Sequence, residues 1–252
     1  MLKYSLCIEP IFENYDFYDR IKIAADAGLD AIEFWDPADR DVDKIAAITQ
    51  RLNIGVAICT TVTPWALRMN ESISKVQQSV KESIKKAKAM NCQSLIGLSG
   101  EVDCVKNTQK GILINNLIAV KEICESEGVT LNMEMLNSYV DHKGYYLDCS
   151  HEGFEIVRCA NSENIKVLFD IYHMQIMEGN IISTIKANID KIGHFHSAGV
   201  PGRHELYLGE INYPGIIAEI DKLDYKGYFG LEYWPTLENR ASLEKVMAYL
   251  KS

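Results

Sequence analysis

Four residues of ligand type recur through the C-terminal half of the chain: Glu134, Asp170, His196 and Glu232, spaced by 36, 26 and 36 residues. They sit toward the ends of the short apolar runs VTLNMEM, KVLFD, IGHFHSA and YFGLEY. A lone acid at such a place often caps the next helix or pairs with an arginine. A lone histidine there is more often a hydrogen-bonded core residue than a ligand. All four together, at successive strand exits of one barrel, would converge on a single mouth. Three carboxylates would then face one another, and burying them unpaired is expensive. A divalent cation resolves the conflict, because carboxylate oxygens and an imidazole nitrogen suit Mn²⁺ or Mg²⁺, with Co²⁺ also accommodated. With no cysteine in the set, structural zinc is disfavoured.

Such a site has a definite chemistry. A cation that chelates a carbonyl oxygen and a neighbouring hydroxyl acidifies the C–H between them and stabilises the enediolate. Glu134 and Glu232 can flank a substrate across the mouth, so a glutamate removes the proton and the same or the opposite one returns it. Return to the adjacent carbon is aldose–ketose isomerisation; return to the opposite face of the same carbon is epimerisation. The residue types allow both.

The elements that must position these residues are legible as an alternation. Strand candidates are 4–9, 31–35, 55–61, 94–99, 129–135, 166–170, 192–198 and 228–233, with amphipathic stretches such as VDKIAAITQRL and NNLIAVKEICESEG between them. In the latter, Leu117, Val120, Ile123 and Cys124 share one face at helical spacing. Gly28 and Gly128 fall where helix C-terminal caps belong. Eight units of about 31 residues match the βα period of a parallel sheet. We therefore expect a single-domain (β/α)₈ TIM barrel over residues 1–252. The rival, a doubly wound sheet, would usually carry a glycine-rich phosphate loop after its first strand, and IEPIFENY has none.

Glu9, Glu33, Thr60 and Ser99, at the first four exits, read as ordinary loop-start polarity. His194 lies two residues before His196, which points it into the barrel one layer deeper as a packed, hydrogen-bonded residue. His142 and His151 read as surface residues or loop organisers, with substrate contact the lesser alternative, and the four methionines at 133, 135, 174 and 177 as packing. The sequence leaves open whether Tyr145 and Tyr146 close a pocket.

Composition bounds the class. Apolar residues make up 47% of the 252 residues and charged ones 24%, an ordinary globular mixture. The net charge of −9 argues against nucleic acid or an anionic membrane as partner. No apolar run is long enough for a membrane span, and the N-terminus does not read as a signal peptide. Seven cysteines without a Cys-x-x-Cys pair read as reduced thiols, so a soluble cytoplasmic protein is expected. The expected partner is a small sugar or hydroxy-keto acid, and the sequence leaves room for a homo-oligomer.

FDIYHMQIMEGN, GHFHSAGVPGRHEL, GEINYP and GLEYWP together resemble the hydroxypyruvate isomerase branch of the xylose-isomerase-like TIM barrels. The likeness is dense in the C-terminal half and weaker at AADAGLDAIEF. It implies a divalent metal at Glu134, Asp170, His196 and Glu232, with the two glutamates moving the proton. It also implies that His173 and Arg203 bind substrate oxygens; the planar fork of Arg203 suits a carboxylate. The implied reaction interconverts hydroxypyruvate and tartronate semialdehyde. At position 196 such isomerases commonly carry glutamine, whereas histidine there is typical of the related ketose 3-epimerases, which makes a neutral ketose the alternative substrate. An abasic-site endonuclease on the same barrel would need further histidines at the exits of strands two to four, where this chain has none. A metal-free sugar-binding relic would not need to retain all four ligand types.

Overall fold

The computed structural model describes residues 2–62, 68–102 and 104–251. Among them, parallel strands close in sequence order into one barrel, β1 pairing with both β2 and β8. The strands are β1 (Lys3–Cys7), β2 (Ala31–Phe34), β3 (Gly55–Thr60), β4 (Ser94–Leu98), β5 (Thr130–Glu134), β6 (Ile165–Asp170), β7 (Ile192–Ser197) and β8 (Tyr228–Leu231). Between and around them run α1 (Ile8–Ile11), α2 (Phe17–Asp26), α3 (Val42–Leu52), α4 (Ile73–Ala89) and α5 (Lys106–Glu127). The second half adds α6 (Ser150–Ala160), α7 (Ile171–Met177), α8 (Ile181–Asn188), α9 (Tyr213–Lys222) and α10 (Asn239–Leu250).

Local chemistry sets the boundaries of these elements. Asp16 caps α2 by accepting from the Tyr18 N–H, and Asp41 caps α3 by accepting from the Lys44 N–H. Gly128 ends α5 at φ +65°, a left-handed residue that turns the chain directly into β5. On α5, Leu117, Val120 and Cys124 are buried as expected, while Ile123 is only partly so. β1 is shorter than its apolar run: it stops at Cys7, and Glu9 falls in the helical turn α1, paired with Arg20 and Arg40. Among the described residues, no helix is long and apolar enough to cross a membrane.

Most of the apolar core lies between the strands and the surrounding helices. A much smaller apolar cluster, Ile58, Ile96 and Leu168 from β3, β4 and β6, is separate from it. Leu168 shares the face of β6 that carries Asp170, because side chains alternate along a strand. The corresponding faces of β1, β2, β5 and β7 carry Ser5, Glu33, Asn132 and His194, all at most 2% exposed. A barrel interior is a packed core, and most of this polarity is paired inside it: Glu33 accepts from Ser5 and His194, and the Asn132 amide donates to Ser94 Oγ and the Leu95 carbonyl. It supports the mouth from below.

Candidate active site

Glu134 and Asp170 are the last residues of β5 and β6, His196 is the penultimate residue of β7, and Glu232 directly follows β8. In register, Asp170 pairs with His196 and His196 with Gly230. All four side chains are buried, and one ligand atom from each lies within 4.8 Å of the others. His196 Nδ1 is 3.4 Å from Glu134 Oε1 and 3.4 Å from Glu232 Oε2.

Asp170 serves two purposes at once. Its Oδ1 caps α7, accepting from the N–H groups of Tyr172 at 2.8 Å and His173 at 3.3 Å. Its Oδ2 is thereby directed elsewhere, 3.4 Å from His173 Nε2 and 3.8 Å from the Arg203 guanidinium. Burial pushes the carboxyl of Asp170 up to about 7, against the pull of Arg203 and His196. Burial also works to raise Glu232, but the Arg203 cation and the His196 imidazole hold it well below the carboxylate range. Burial would lower His196, yet Glu232 and Glu33 together raise it well above its ordinary value.

The residues present fit a divalent cation. The donor set is three carboxylates and an imidazole in one buried constellation, the mixture that hard or borderline ions take. His196 Nδ1 is buried among them with no hydrogen-bond partner, an orphan of the kind that a ligand would satisfy.

Arg203 is aimed by its backbone. It lies at φ +57°, in a region few non-glycine residues adopt, and its carbonyl accepts from the Trp234 N–H at 2.8 Å. Its guanidinium donates to Glu232 and lies over the rings of Tyr172 and Trp234, 5.3 Å and 5.0 Å from their centroids. Two residues on, Glu205 is fully buried and accepts from Thr236, Leu237 and Ser242, tying this loop to the start of α10.

His173 is completely buried and is not among the residues that line the cavity. Its Nδ1 accepts from the Asn137 N–H at 3.2 Å, which places the imidazole proton on Nε2. Burial, reinforced by Arg203 and His142, holds His173 neutral. Its Nε2 has no hydrogen-bond partner and faces Asp170.

Above the cluster is a cavity of about 400 Å³, lined by Glu134, Glu232, Arg203, His142, Asp36 and Thr60 and walled by Trp35, Trp234, Ile96, Leu98 and Leu136. A larger hollow, about 510 Å³, opens among strand starts, with Ser94, Thr130, Lys166 and Tyr228 on its walls; it touches none of the four ligand-type residues. The smaller one carries Glu134 and Glu232 on its wall and lies where the barrel strands end.

Residues 21–252 match the family model described as xylose isomerase-like TIM barrel. The chain belongs to that family. It is 29% identical over 261 residues to the 2-oxo-tetronate isomerase of Cupriavidus necator, covering 99% of each. It is 28% identical over 258 residues to the hydroxypyruvate isomerase of Escherichia coli, covering 99% of this chain and 100% of that one. Among solved structures, one from Brucella melitensis described as an AP endonuclease, family 2, superimposes with TM-score 0.93 at 26% identity, covering 99% of both chains. An L-ribulose 3-epimerase shares the fold, with TM-score 0.83 at 20% identity over 100% of this chain and 94% of that one.

Within this family's barrel, several residues carry more than their sequence context signalled. Glu33 does not mark a loop start: it is buried in β2, bonded to both His194 and His196. Burial would raise its carboxyl, but the two imidazoles bring it down to about 2. His194 is the hydrogen-bonded interior residue expected, its Nε2 3.0 Å from Glu33 Oε1. Trp35 walls the cavity and donates its indole N–H to Glu232 Oε1 at 2.7 Å. His142, read as surface or loop, lines the cavity with a buried, unpartnered Nε2. Tyr145 closes no pocket over the ligands; its hydroxyl, fully buried, accepts from the Ser99 N–H and donates to the Glu134 carbonyl. The only advance signals for Trp35 and Glu33 were their places beside a strand exit and the two-residue alternation along β2. Neither says which side chains lie across the barrel.

Proposed function

We propose that this chain is a metal-dependent isomerase of small hydroxy-keto acids, interconverting hydroxypyruvate and tartronate semialdehyde or a close homologue through an enediolate. The convergence of Glu134, Asp170, His196 and Glu232 at one barrel mouth carries this reading. The names of the full-length relatives, hydroxypyruvate isomerase and 2-oxo-tetronate isomerase, support the reaction class.

A divalent cation, Mn²⁺ or Mg²⁺, held by those four residues would polarise the substrate carbonyl and acidify the adjacent C–H. Glu134 and Glu232 would then remove and return the proton. Trp35 and Arg203 hold Glu232 ionised and fixed in direction, so it accepts a proton without rearranging. His173, neutral and protonated on Nε2, turns that proton toward Asp170 Oδ2, 3.4 Å away, and so acts behind a ligand oxygen rather than on the substrate. The apolar wall of Trp35, Trp234 and Leu136 excludes water from the reacting carbons.

A neutral ketose is the second reading, favoured by one observation. Arg203, the cationic residue on the cavity wall, is already engaged by Glu232, while Asp36, Glu134 and Glu232 line the same cavity. A substrate carboxylate would have to compete for it. The test is purified protein loaded with Mn²⁺, assayed against hydroxypyruvate and 2-oxo-tetronate on one side and L-ribulose and D-allulose on the other. Turnover of the acids establishes the first reading. Turnover confined to neutral ketoses sinks it in favour of the second.

A further inference from the structure

We propose that Glu33 is a positioning residue for the cation site: it holds the His196 imidazole with its proton on Nε2, so that Nδ1 is the atom offered to the ion. This rests on the cation reading above and identifies what makes its imidazole competent. Glu33 is 2% exposed in β2. Its Oε2 is 2.7 Å from His196 Nε2 and its Oε1 is 3.0 Å from His194 Nε2, and it also accepts the Ser5 hydroxyl. An ionised carboxylate only accepts, so both imidazoles donate to it from Nε2. The Nδ1 lone pair of His196 then points at Glu134 and Glu232, 3.4 Å from each, in a buried position with no hydrogen bond.

That arrangement repels unless a second proton on the ring or a metal cation lies between Nδ1 and the carboxylates, and an ion that binds there takes the place of that proton. The opposite tautomer would satisfy the mouth with an Nδ1–H donor and turn the Nε2 lone pair against Glu33. Glu33 makes that alternative unfavourable, as carboxylates behind ligating histidines generally do. The packing is built for the pairing. A Cβ on Gly230 would come within 2.4 Å of Glu33 Oε1 and 2.8 Å of His196 Cδ2, so only glycine on β8 leaves room. The His194 and His196 rings meet edge to face at 5.2 Å, which keeps the outer imidazole from tilting away.

The test measures Mn²⁺ affinity by chelator competition in the intact protein and in Glu33→Gln. We expect one ion per chain, with binding weakened about 10- to 100-fold in the variant, the usual effect of losing such a partner. Ser5→Ala, which removes one donor to Glu33 and no bond to histidine, should fall between the two. A readout independent of folding comes from ¹⁵N-histidine spectra of the Mg²⁺-loaded wild type. His196 should carry a single proton, on Nε2, and in Glu33→Gln that resonance should lose its strongly hydrogen-bonded shift. Wild-type binding with unchanged affinity in Glu33→Gln overturns the positioning role alone. A His196 protonated on Nδ1 does the same, even if the variant fails to fold. Two ions per chain, one of them lost in Glu33→Gln, also overturns it and makes Glu33 itself a ligand. No Mn²⁺ binding by the wild type overturns this role and the cation reading together.

Discussion

Replacing Glu205 by glutamine should destabilise the wall of the active site through a residue that touches no substrate. Its Oε1 accepts from the N–H of Thr236 at 2.9 Å, the N–H of Leu237 at 3.3 Å and the Ser242 hydroxyl at 2.8 Å. Its Oε2 accepts the Thr236 hydroxyl at 2.9 Å. In the best case the amide oxygen keeps the three donors of Oε1 and the new N–H₂ donates to Thr236 Oγ1. What is lost is the charge on the acceptor, about 1 kcal/mol per bond between charged and neutral hydrogen bonds. Over the four bonds the sum is about 4 kcal/mol, a Tm lower by roughly 8–16 °C for a chain of this size. Burial acts to raise the Glu205 carboxyl, but the bonds it accepts bring it below its ordinary value. The stabilisation is therefore full above the unfolded value of about 4.3 and disappears as pH falls through the lower folded one. Calorimetry of both proteins from pH 7 to pH 3 should show a Tm gap that closes with acid. Equal Tm at pH 7, or a gap that persists unchanged to pH 3, would refute the reasoning.

Glu134→Gln and Glu232→Gln should each abolish turnover while circular dichroism and Tm stay near wild type; near-normal activity in either refutes the two-glutamate mechanism. Trp35→Phe keeps the apolar wall but deletes the 2.7 Å donor to Glu232, so kcat should fall about 10- to 100-fold, in line with about 1.5–3 kcal/mol for a hydrogen bond to a charge. An unchanged kcat would show that the indole acts only as a wall. Because Asp170 is pushed up to about 7 by burial, a cation must displace its proton below that pH. Mn²⁺ affinity should therefore rise with pH toward 7, with proton release visible by calorimetry in buffers of different ionisation enthalpy; a flat profile between pH 5 and 7 would show that Asp170 holds no proton in that range.

The strand–helix alternation, the barrel and the four ligand-type residues were legible in the chain because each depends on local pattern. Apolar runs bounded by polar residues make strands, amphipathic spacing makes helices, and an acid or histidine at the end of each late run needs only the βα period to be placed. The Asp170–His173 step was legible only as a strand exit; that Asp170 caps α7 and that His173 is buried in its first turn came from the tertiary structure. Glu33 was not. It differs from a loop-start acid only in where β2 ends, at Phe34 one residue beyond it, and in the closure that brings β2 and β7 together across the interior. Nor could local pattern show that Arg203, free in the sequence to meet a substrate carboxylate, is held by Glu232. Contacts such as Trp35 to Glu232 and Glu33 to His196 join residues more than 160 positions apart. Their distances and directions are set by barrel closure, strand register and the space left by Gly230, which exist only once the whole sheet has closed.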